Sequence, residues 1–187
     1  MTQSLYLHAS NNKEDRKLGE LWERNFCKIA ADYGFYFTPL QIGKEKSESF
    51  YAIKSGVWNT YTLPDIAIWS APGQFHEIKH KNPTKYKNVS LEIYRFNSLV
   101  KFWRETKQDV MYTIHNHDLS GGRHGKENDV NHWFTASIHK LLKSDKKVFG
   151  TTTYYNGQPK PSQNFFWDIS LFRPIKEYWD HLGASLA

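Results

Sequence analysis

The chain has 187 residues, of which 16% are aromatic and 24% charged, a composition typical of a globular domain and not of a disordered segment. Its 25 Lys and Arg against 19 Asp and Glu give a formal net charge of +6, which favours a polyanionic partner such as nucleic acid. No apolar run is long enough to span a membrane, and the single cysteine, Cys27, excludes an internal disulfide. Together with an N terminus that lacks an apolar signal segment, this predicts a cytoplasmic protein with no membrane partner.

The first half of the sequence predicts one helix followed by several strands. Apolar residues recur at helical spacing over residues 14–33. Short extended segments are expected at 38–42 and 50–53. Residues 63–69 and 74–80 then predict two strands joined by a tight turn, because Ser, Ala, Pro and Gly separate them.

The second half predicts helices alternating with strands around one sheet. Ser90 is expected to cap a helix that reaches residue 106, with Ile93, Phe96, Val100 and Trp103 on its inner stripe. The remaining expected elements are a strand at 109–114, a polar loop, a helix at 133–142, a strand at 148–155, a turn at 156–163, its return strand at 164–172 and a C-terminal helix at 174–181. This order is typical of a mixed α/β domain.

Two acidic residues and a lysine lie in segments that otherwise read as buried strands. Glu77 and Lys79 are two positions apart, so both side chains project to the same face of a strand. Ile78 faces the other way, but its backbone carbonyl stays near that edge. Asp65 follows Pro64 at the start of the preceding strand, and pairing of the two strands would bring its carboxylate beside Glu77. The sequence therefore predicts a cluster of two acids and one amine.

A cluster of this composition suits the hydrolysis of a phosphodiester. Mg²⁺ prefers carboxylate oxygens, and such an ion neutralises charge on the scissile phosphate while it activates water. A lysine beside the ion holds or deprotonates the attacking water and stabilises the developing negative charge. The residue types required are those of Asp65, Glu77 and Lys79.

Pro64-Asp65 and Glu77-Ile78-Lys79, separated by a hairpin-sized gap, resemble the motif of the PD-(D/E)xK nuclease superfamily. Its members include restriction-endonuclease-like and Holliday-junction-resolvase-like enzymes. The resemblance implies an α/β fold in which a mixed β-sheet is flanked by helices. It also implies a Mg²⁺-dependent endonuclease that hydrolyses DNA and leaves a 5′-phosphate and a 3′-hydroxyl, with Mn²⁺ as a substitute ion.

The early helix adds a further element of the same resemblance. Archaeal Holliday-junction resolvases often carry Gly-x-x-x-Glu there, and Gly19 and Glu23 stand at that spacing. Glu23 borders the apolar stripe of the helix, so its side chain would reach inward. By the resemblance, Asp65, Glu77, Glu23 and the backbone carbonyl of Ile78 bind the metal, and Lys79 positions the water.

The resemblance covers residues 19–103 and the strand that follows. We expect a single nuclease domain over residues 1–187, with a catalytic core at about 14–115 and an elaboration of hairpin and helix at about 130–181. DNA is the expected partner, and a homodimer would suit an enzyme that cuts both strands. Two alternatives stay open: a non-catalytic DNA-binding domain on the same scaffold and an RNA-processing nuclease.

Several charged residues near the motif have two interpretations. Lys81, Lys85 and Lys87 follow the catalytic strand where a DNA backbone would pass, or they belong to an ordinary solvated run. Arg95 lies at the flank of the next helix and is also a candidate for DNA binding. Glu92 either supports the site from a second layer or simply suits the helix dipole behind a serine cap.

Six of the nine histidines fall into two groups. His76 and His80 should face away from Glu77 by strand alternation. The other four lie within the polar segment 115–132, where they would form a mobile lid or gather a transition metal. They are His115, His117, His124 and His132.

Overall fold

The computed structural model describes residues 12–40, 49–54, 57–69, 73–81, 83, 87–116, 129–155 and 158–184. Within these ranges the helices are α1 (Asn12–Asp32), α2 (Ile93–Thr106), α3 (Ile138–Lys143) and α4 (Ile175–Ala184). The strands are β1 (Phe37–Pro39), β2 (Ser49–Lys54), β3 (Val57–Thr62), β4 (Ile66–Ile68), β5 (Gln74–Lys81), β6 (Asn88–Glu92), β7 (Asp109–Asn116), β8 (Trp133–Ser137), β9 (Lys147–Tyr155), β10 (Gln158–Asp168) and β11 (Arg173–Pro174). No helix among the described residues is long and apolar enough to cross a membrane.

The main sheet of the described chain has the strand order β1-β4-β5-β7-β8-β11. β4 and β5 are antiparallel, with Ile66 opposite His76, as expected for the two strands that carry the motif. β5 and β7 are parallel, with Glu77 opposite Tyr112, and α2 is part of the crossover that a parallel pair requires. β7 and β8 are antiparallel again. The predicted mixed sheet flanked by helices is therefore confirmed.

Two hydrophobic clusters cover the two faces of this sheet. On one face, α2 and α3 pack Phe96, Leu99 and Leu141 against β7. On the other face, α1 and α4 bury Trp22 and Trp179 against β4 and β5. The helical period predicted for α1 is confirmed, and α1 ends just before Gly34, whose φ of +78° suits a residue without a side chain.

The expectation of one sheet is wrong, because the described residues also form the smaller sheets β6-β10-β9 and β2-β3. Val89 and Leu91 of β6 and Trp167 of β10 bury their side chains in the same cluster as α2. The sheet β6-β10-β9 therefore packs on α2 and does not extend the main sheet. Strand β3 was not predicted.

The start of α2 differs from its prediction. Ser90 does not cap the helix, because residues Asn88–Glu92 pair with β10 as a strand. Glu92 precedes the helix and makes no side-chain capping hydrogen bond, so its interpretation as a residue behind a serine cap is wrong. The buried side of α2 also includes Arg95, which the apolar pattern had placed at the flank.

Two further boundaries depend on pairing. The helix predicted at 133–142 is a strand up to Ser137, which pairs with β7, and Ser137 caps the short α3 by accepting a hydrogen bond from Lys140 N. Of the turn predicted at 156–163, residues 158–163 are strand, because β10 begins at Gln158, and residues 156–157 lie outside the described residues. Pro159 and Pro161 are tolerated there since β6 pairs with β10 only from Asn164 onward.

The remaining predicted elements agree more closely with the structure. The strand expected at 63–69 is reduced to Ile66–Ile68, and the return strand expected at 164–172 ends at Asp168. β2, β5, β7 and α4 lie where the sequence predicts them. The last two residues of the strand expected at 38–42 lie outside the described residues.

Candidate active site

Asp65 is fixed at the start of β4 by bonds to β5. Its N–H donates to the carbonyl of His76 at 2.9 Å, and its own carbonyl accepts from Leu40 N at 2.8 Å. The side chain is buried, and Oδ2 accepts a hydrogen bond from the backbone N–H of Ile78 at 2.7 Å. The antiparallel pairing of β4 and β5 therefore orients this carboxylate toward β5.

Glu77 lies in the middle of β5 and is fully buried, with 0% of its surface exposed. Arg95 of α2 binds it through two donors: Nε donates to Oε1 at 2.9 Å, and Nη2 donates to Oε2. Lys79 Nζ lies 2.8 Å from Oε1. A buried carboxylate needs such partners, because an isolated charge in the interior is very costly.

The same two cations also reach Asp65. Lys79 Nζ lies 4.0 Å from Asp65 Oδ2, and Arg95 Nη2 lies 3.8 Å from Oδ1. Arg95 Nη2 further donates to the carbonyl of Leu63 at 2.9 Å. Asp65, Glu77, Lys79 and Arg95 thus form one group, here called the four-charge cluster. The side chain of Lys79 is 34% exposed, so the cluster opens to solvent on that side.

The pKa values in the cluster follow from burial and from these neighbours. Burial and then the charge of Glu77 raise the pKa of Asp65 to about 6. Burial acts in the same direction on Glu77, but Lys79 and Arg95 outweigh it and lower the pKa of Glu77. Burial works against the charged form of Lys79, yet Glu77 and Asp65 raise its pKa. At neutral pH both acids are therefore mainly ionised and Lys79 is protonated.

Glu23 of α1 faces the same region. Burial is the main cause that raises the pKa of Glu23 to about 7, and the charges of Asp65 and Glu77 add to it while Lys79 opposes it. Electrostatic effects of this kind weaken with distance, so Glu23 lies within electrostatic range of the four-charge cluster.

The acidic side chains near the cluster do not form a ready-made metal site among the described residues. In the described ranges, no three acidic, histidine or cysteine side chains are placed to bind one ion together. The available donor atoms are nevertheless of the right type for a hard cation. Asp65, Glu77 and Glu23 offer carboxylate oxygens, which Mg²⁺ prefers as ligands. Both oxygens of Glu77, however, are bonded to Arg95 or Lys79. An ion at Glu77 would therefore compete with these cations for the carboxylate oxygens.

The remaining predicted site residues lie outside the four-charge cluster. Lys81 donates from Nζ to Ser90 Oγ at 3.4 Å, and burial lowers the pKa of Lys81. Glu92, just before α2, acts electrostatically on Lys81. Lys87 is exposed, with a φ of 51°, and Lys85 lies outside the described residues.

The histidines of β5 face away from Glu77, as predicted. His76 bonds Thr113 Oγ1 through Nδ1 at 2.8 Å, and burial lowers the pKa of His76 to about 3, so it is a neutral core residue. His80 Nδ1 lies 3.0 Å from His115 Nδ1, and both rings stack on Trp22.

The structure describes only the two ends of the polar segment 115–132, for which a mobile lid was one interpretation. His115 belongs to β7, and His132 Nε2 lies 3.7 Å from Asp129 Oδ2. His117 and His124 lie outside the described residues.

Arg95 is the residue whose role the sequence did not reveal. It was a candidate for DNA binding at a helix flank, whereas the structure places its guanidinium against Glu77, 8% exposed. One signal was available: a glutamate in a buried strand needs a cationic partner, and the first arginine of the following helix is a candidate.

Comparisons with known proteins add little to this geometry. No protein-family model matches the chain, and no curated protein matches it. Among solved structures, the chain is similar to Hjc of Archaeoglobus fulgidus, a Holliday junction resolvase from an archaeal hyperthermophile. The two are 14% identical, the match covers 87% of this chain and 95% of that chain, and the TM-score is 0.48. A likeness at this level assigns no function.

Proposed function

We propose that the chain is a metal-dependent endonuclease that hydrolyses phosphodiester bonds of DNA with a PD-(D/E)xK site. The observation that carries this proposal is the convergence of Asp65, Glu77 and Lys79, from the start of one strand and the middle of the next, in a cluster that opens to solvent beside Lys79. Burying two carboxylates 5% and 0% exposed is costly. A catalytic metal ion that needs carboxylate oxygens as ligands would explain why the fold keeps these two buried carboxylates despite the cost.

Charge balance supports a link between metal and substrate. The four-charge cluster contains two negative and two positive side chains. Mg²⁺, or Mn²⁺ in its place, would be held by Asp65, Glu77, Glu23 and the carbonyl of Ile78, where it would supply positive charge against the scissile phosphate and lower the pKa of a water. Phosphate groups of DNA and ionised Glu23 would offset the added charge, so metal and DNA should bind more tightly together than separately.

Lys79 is best suited to stabilising negative charge. Because Glu77 and Asp65 raise the pKa of Lys79, its amine stays protonated and is a poor proton acceptor. It would instead donate hydrogen bonds to the attacking water or to the phosphate oxygens as their negative charge grows. Its partial exposure allows that contact.

A second candidate is a DNA-binding domain without catalysis. The observation that favours it is the pairing of both Glu77 oxygens with Arg95 and Lys79. In that case the cluster would be a structural ion-pair network that positions α2 on the sheet, and Arg95 would never release Glu77.

The test is cleavage of supercoiled, linear and branched DNA, and of RNA, with Mg²⁺, with Mn²⁺ or with EDTA. Asp65→Asn and Lys79→Met should each lower the rate about a hundredfold or more, since each removes a group that acts on the reacting phosphate. Asn keeps an oxygen that can accept the Ile78 N–H, so Asp65→Asn should still fold.

The matched controls are Asp145→Asn and Lys28→Met, which change exposed residues of the same types and should cut like the wild type. Binding to DNA is measured in parallel. Loss of cleavage with retained binding supports the nuclease. A well-folded wild type that binds DNA but cuts nothing with either metal supports the binding domain, and cleavage of RNA alone assigns the RNA-processing alternative.

A further inference from the structure

The strands β9 and β10 form a long antiparallel ribbon. They pair continuously from Lys147 opposite Phe166 to Tyr155 opposite Gln158. β6 pairs with β10 only along Asn164–Asp168, so no other described strand flanks the ribbon between Gln158 and Gln163. We call the residues 147–155 and 158–163 the free ribbon, where the word free refers only to the lack of a further described strand beside it.

The base of the free ribbon packs against the rest of the molecule. Trp167 is buried and donates from Nε1 to the carbonyl of Leu141 at 3.0 Å. Phe165 contacts Phe96 of α2 edge to face, with 5.4 Å between ring centroids. Lys146 lies over the ring of Phe165 at 5.3 Å. The ribbon is therefore fixed to the helix that carries Arg95.

The free ribbon extends beyond the end of β6 next to the candidate active site. Asn164 is opposite Glu92, which is the residue before α2 and lies three positions from Arg95. From Asn164 to Gln158 the strand rises about 20 Å at a normal 3.3 Å per residue. A ligand held by the four-charge cluster and the free ribbon together must be an extended one.

The chemistry of the free ribbon fits a polyanion. Residues 146–167 contain three lysines and no Asp or Glu, and most other polar side chains are uncharged donors and acceptors. Lys147 and Lys160 are exposed. So are the apolar residues Val148 and Phe149, at 51% and 52%, which is unusual for an edge strand because such edges invite pairing with other chains. A partner that covers this surface accounts for both features.

We propose that the free ribbon is a DNA-binding arm that enters a groove of duplex DNA while the four-charge cluster acts on the backbone. A two-stranded β-ribbon fits the major groove of B-DNA. Lys147 and Lys160 would contact phosphates, and Thr, Ser and Gln side chains would reach base edges. This deepens the proposed function and rests on it for the identity of the ligand.

The test measures binding of a duplex by the full chain in the Asp65→Asn background, so that cleavage does not interfere. Lys147→Gln with Lys160→Gln should weaken binding at least tenfold and reduce the slope of log K against log salt concentration by about two, one for each lost phosphate contact. Thr152→Ala with Gln163→Ala should change the ranking of duplexes of different sequence. Lys28→Gln with Lys101→Gln removes the same charge from α1 and α2 and should leave the binding constant within about twofold.

The outcomes separate the two proposals. If the ribbon variants fold and bind like the control while the Asp65 background alone abolishes cleavage, the ribbon proposal is overturned and the nuclease stands. If the wild type cuts nothing but the ribbon lysines still determine binding, the DNA-binding arm stands, whereas the nuclease and the action of the cluster on the backbone fail. If sedimentation shows a dimer that Val148→Lys dissociates without weakening DNA binding, a second copy occupies the ribbon and the DNA-arm proposal is overturned.

Discussion

At the scale of single residues, Arg95 links the stability of the site to its ionic state. Its guanidinium bonds both oxygens of Glu77 and the carbonyl of Leu63, so it replaces the hydration that Glu77 loses on burial. A metal ion at Glu77 would compete with this guanidinium for the same oxygens. The stability of the fold and the affinity for metal should therefore be coupled through Arg95.

The change Arg95→Gln tests that coupling. In EDTA it should lower the free energy of unfolding by about 3 kcal/mol, because a buried charge loses a partner. Mg²⁺ should restore more stability to the variant than it adds to the wild type, as the ion can then reach both oxygens. Urea unfolding with and without Mg²⁺ measures this, and Arg95→Lys, which keeps the charge, is the control. An equal Mg²⁺ effect in all three proteins would contradict the competition.

His76 is a second residue whose burial has a measurable consequence. The pKa of His76 falls from 6.5 to about 3 because burial disfavours the charged ring. The pKa of His76 is lower in the folded chain than in the unfolded chain. As the pH falls from 6.5 toward 3, the unfolded chain therefore binds a proton that the folded chain does not bind. The contribution of neutral His76 to stability is thus fully present above pH 6.5 and is lost progressively below it. The raised pKa values of Asp65 and Glu23 act in the opposite direction, so the difference between variant and wild type is the useful quantity.

The variant His76→Gln keeps hydrogen-bonding atoms near Thr113 but cannot take up this proton. Between pH 6.5 and pH 4.5 the wild type should lose about 1–3 kcal/mol of stability relative to the variant. Urea unfolding at a series of pH values gives the two curves. Parallel curves would mean that His76 is not held neutral.

At the scale of elements, α4 closes the cluster that α1 forms on the sheet. Trp179 is buried between the rings of Phe26, Tyr33 and Phe35, at centroid distances of 5.6, 5.1 and 5.1 Å. These contacts join the C-terminal helix to the helix that carries Glu23. The position of α1 on the sheet, and with it that of Glu23, thus depends on an element far away in the sequence.

We expect Trp179→Ala to lower the free energy of unfolding by about 3–5 kcal/mol, the usual cost of removing a large buried side chain. Tyr36→Ala is the control, because Tyr36 is 81% exposed and its loss should change stability by no more than about 0.5 kcal/mol. Denaturant unfolding of both variants measures the difference. Equal effects would show that α4 does not pack as described.

At the scale of the whole molecule, both hydrophobic clusters share one central sheet. β7 contributes Tyr112 and Ile114 to the cluster under α2, while β4, β5 and β8 contribute to the cluster under α1. Since neither face of the sheet is covered without its helices, the described residues should unfold as one unit. A single domain stays a prediction from the sequence, and cooperativity tests it.

The expected result is one unfolding transition in urea, with the same midpoint by far-UV circular dichroism and by tryptophan fluorescence. Leu99→Ala in the first cluster and Ile29→Ala in the second should each shift that common midpoint, as both residues are buried. Two separate transitions, with each variant shifting only one, would indicate two independently stable parts.

Local patterns alone predicted those parts of the molecule that depend on neighbouring residues in the chain. The turn predicted between β4 and β5 falls largely on residues 70–72, which lie outside the described residues. The helical period of α1 and the alternation that places Glu77 and Lys79 on one face of β5 are short-range features. So is the separation of His76 from Glu77 across the strand. These predictions agree with the structure because strand and helix geometry is fixed within a few residues.

Long-range pairing decided the rest. Whether Ser90 caps a helix or lies in a strand depends on β10, more than seventy residues later, and the segment after Trp133 is a strand because it pairs with β7. Within the ribbon, only residues 158–163 differ from their prediction as part of a turn. Prolines are typical of turns, but a strand edge without a neighbouring strand tolerates them. In the same way, only the folded chain brings Arg95 to Glu77. The sequence determined which groups are available for chemistry, and the tertiary structure decided which of them neutralise each other, because the free energy of a buried charge depends on the partners that folding places beside it.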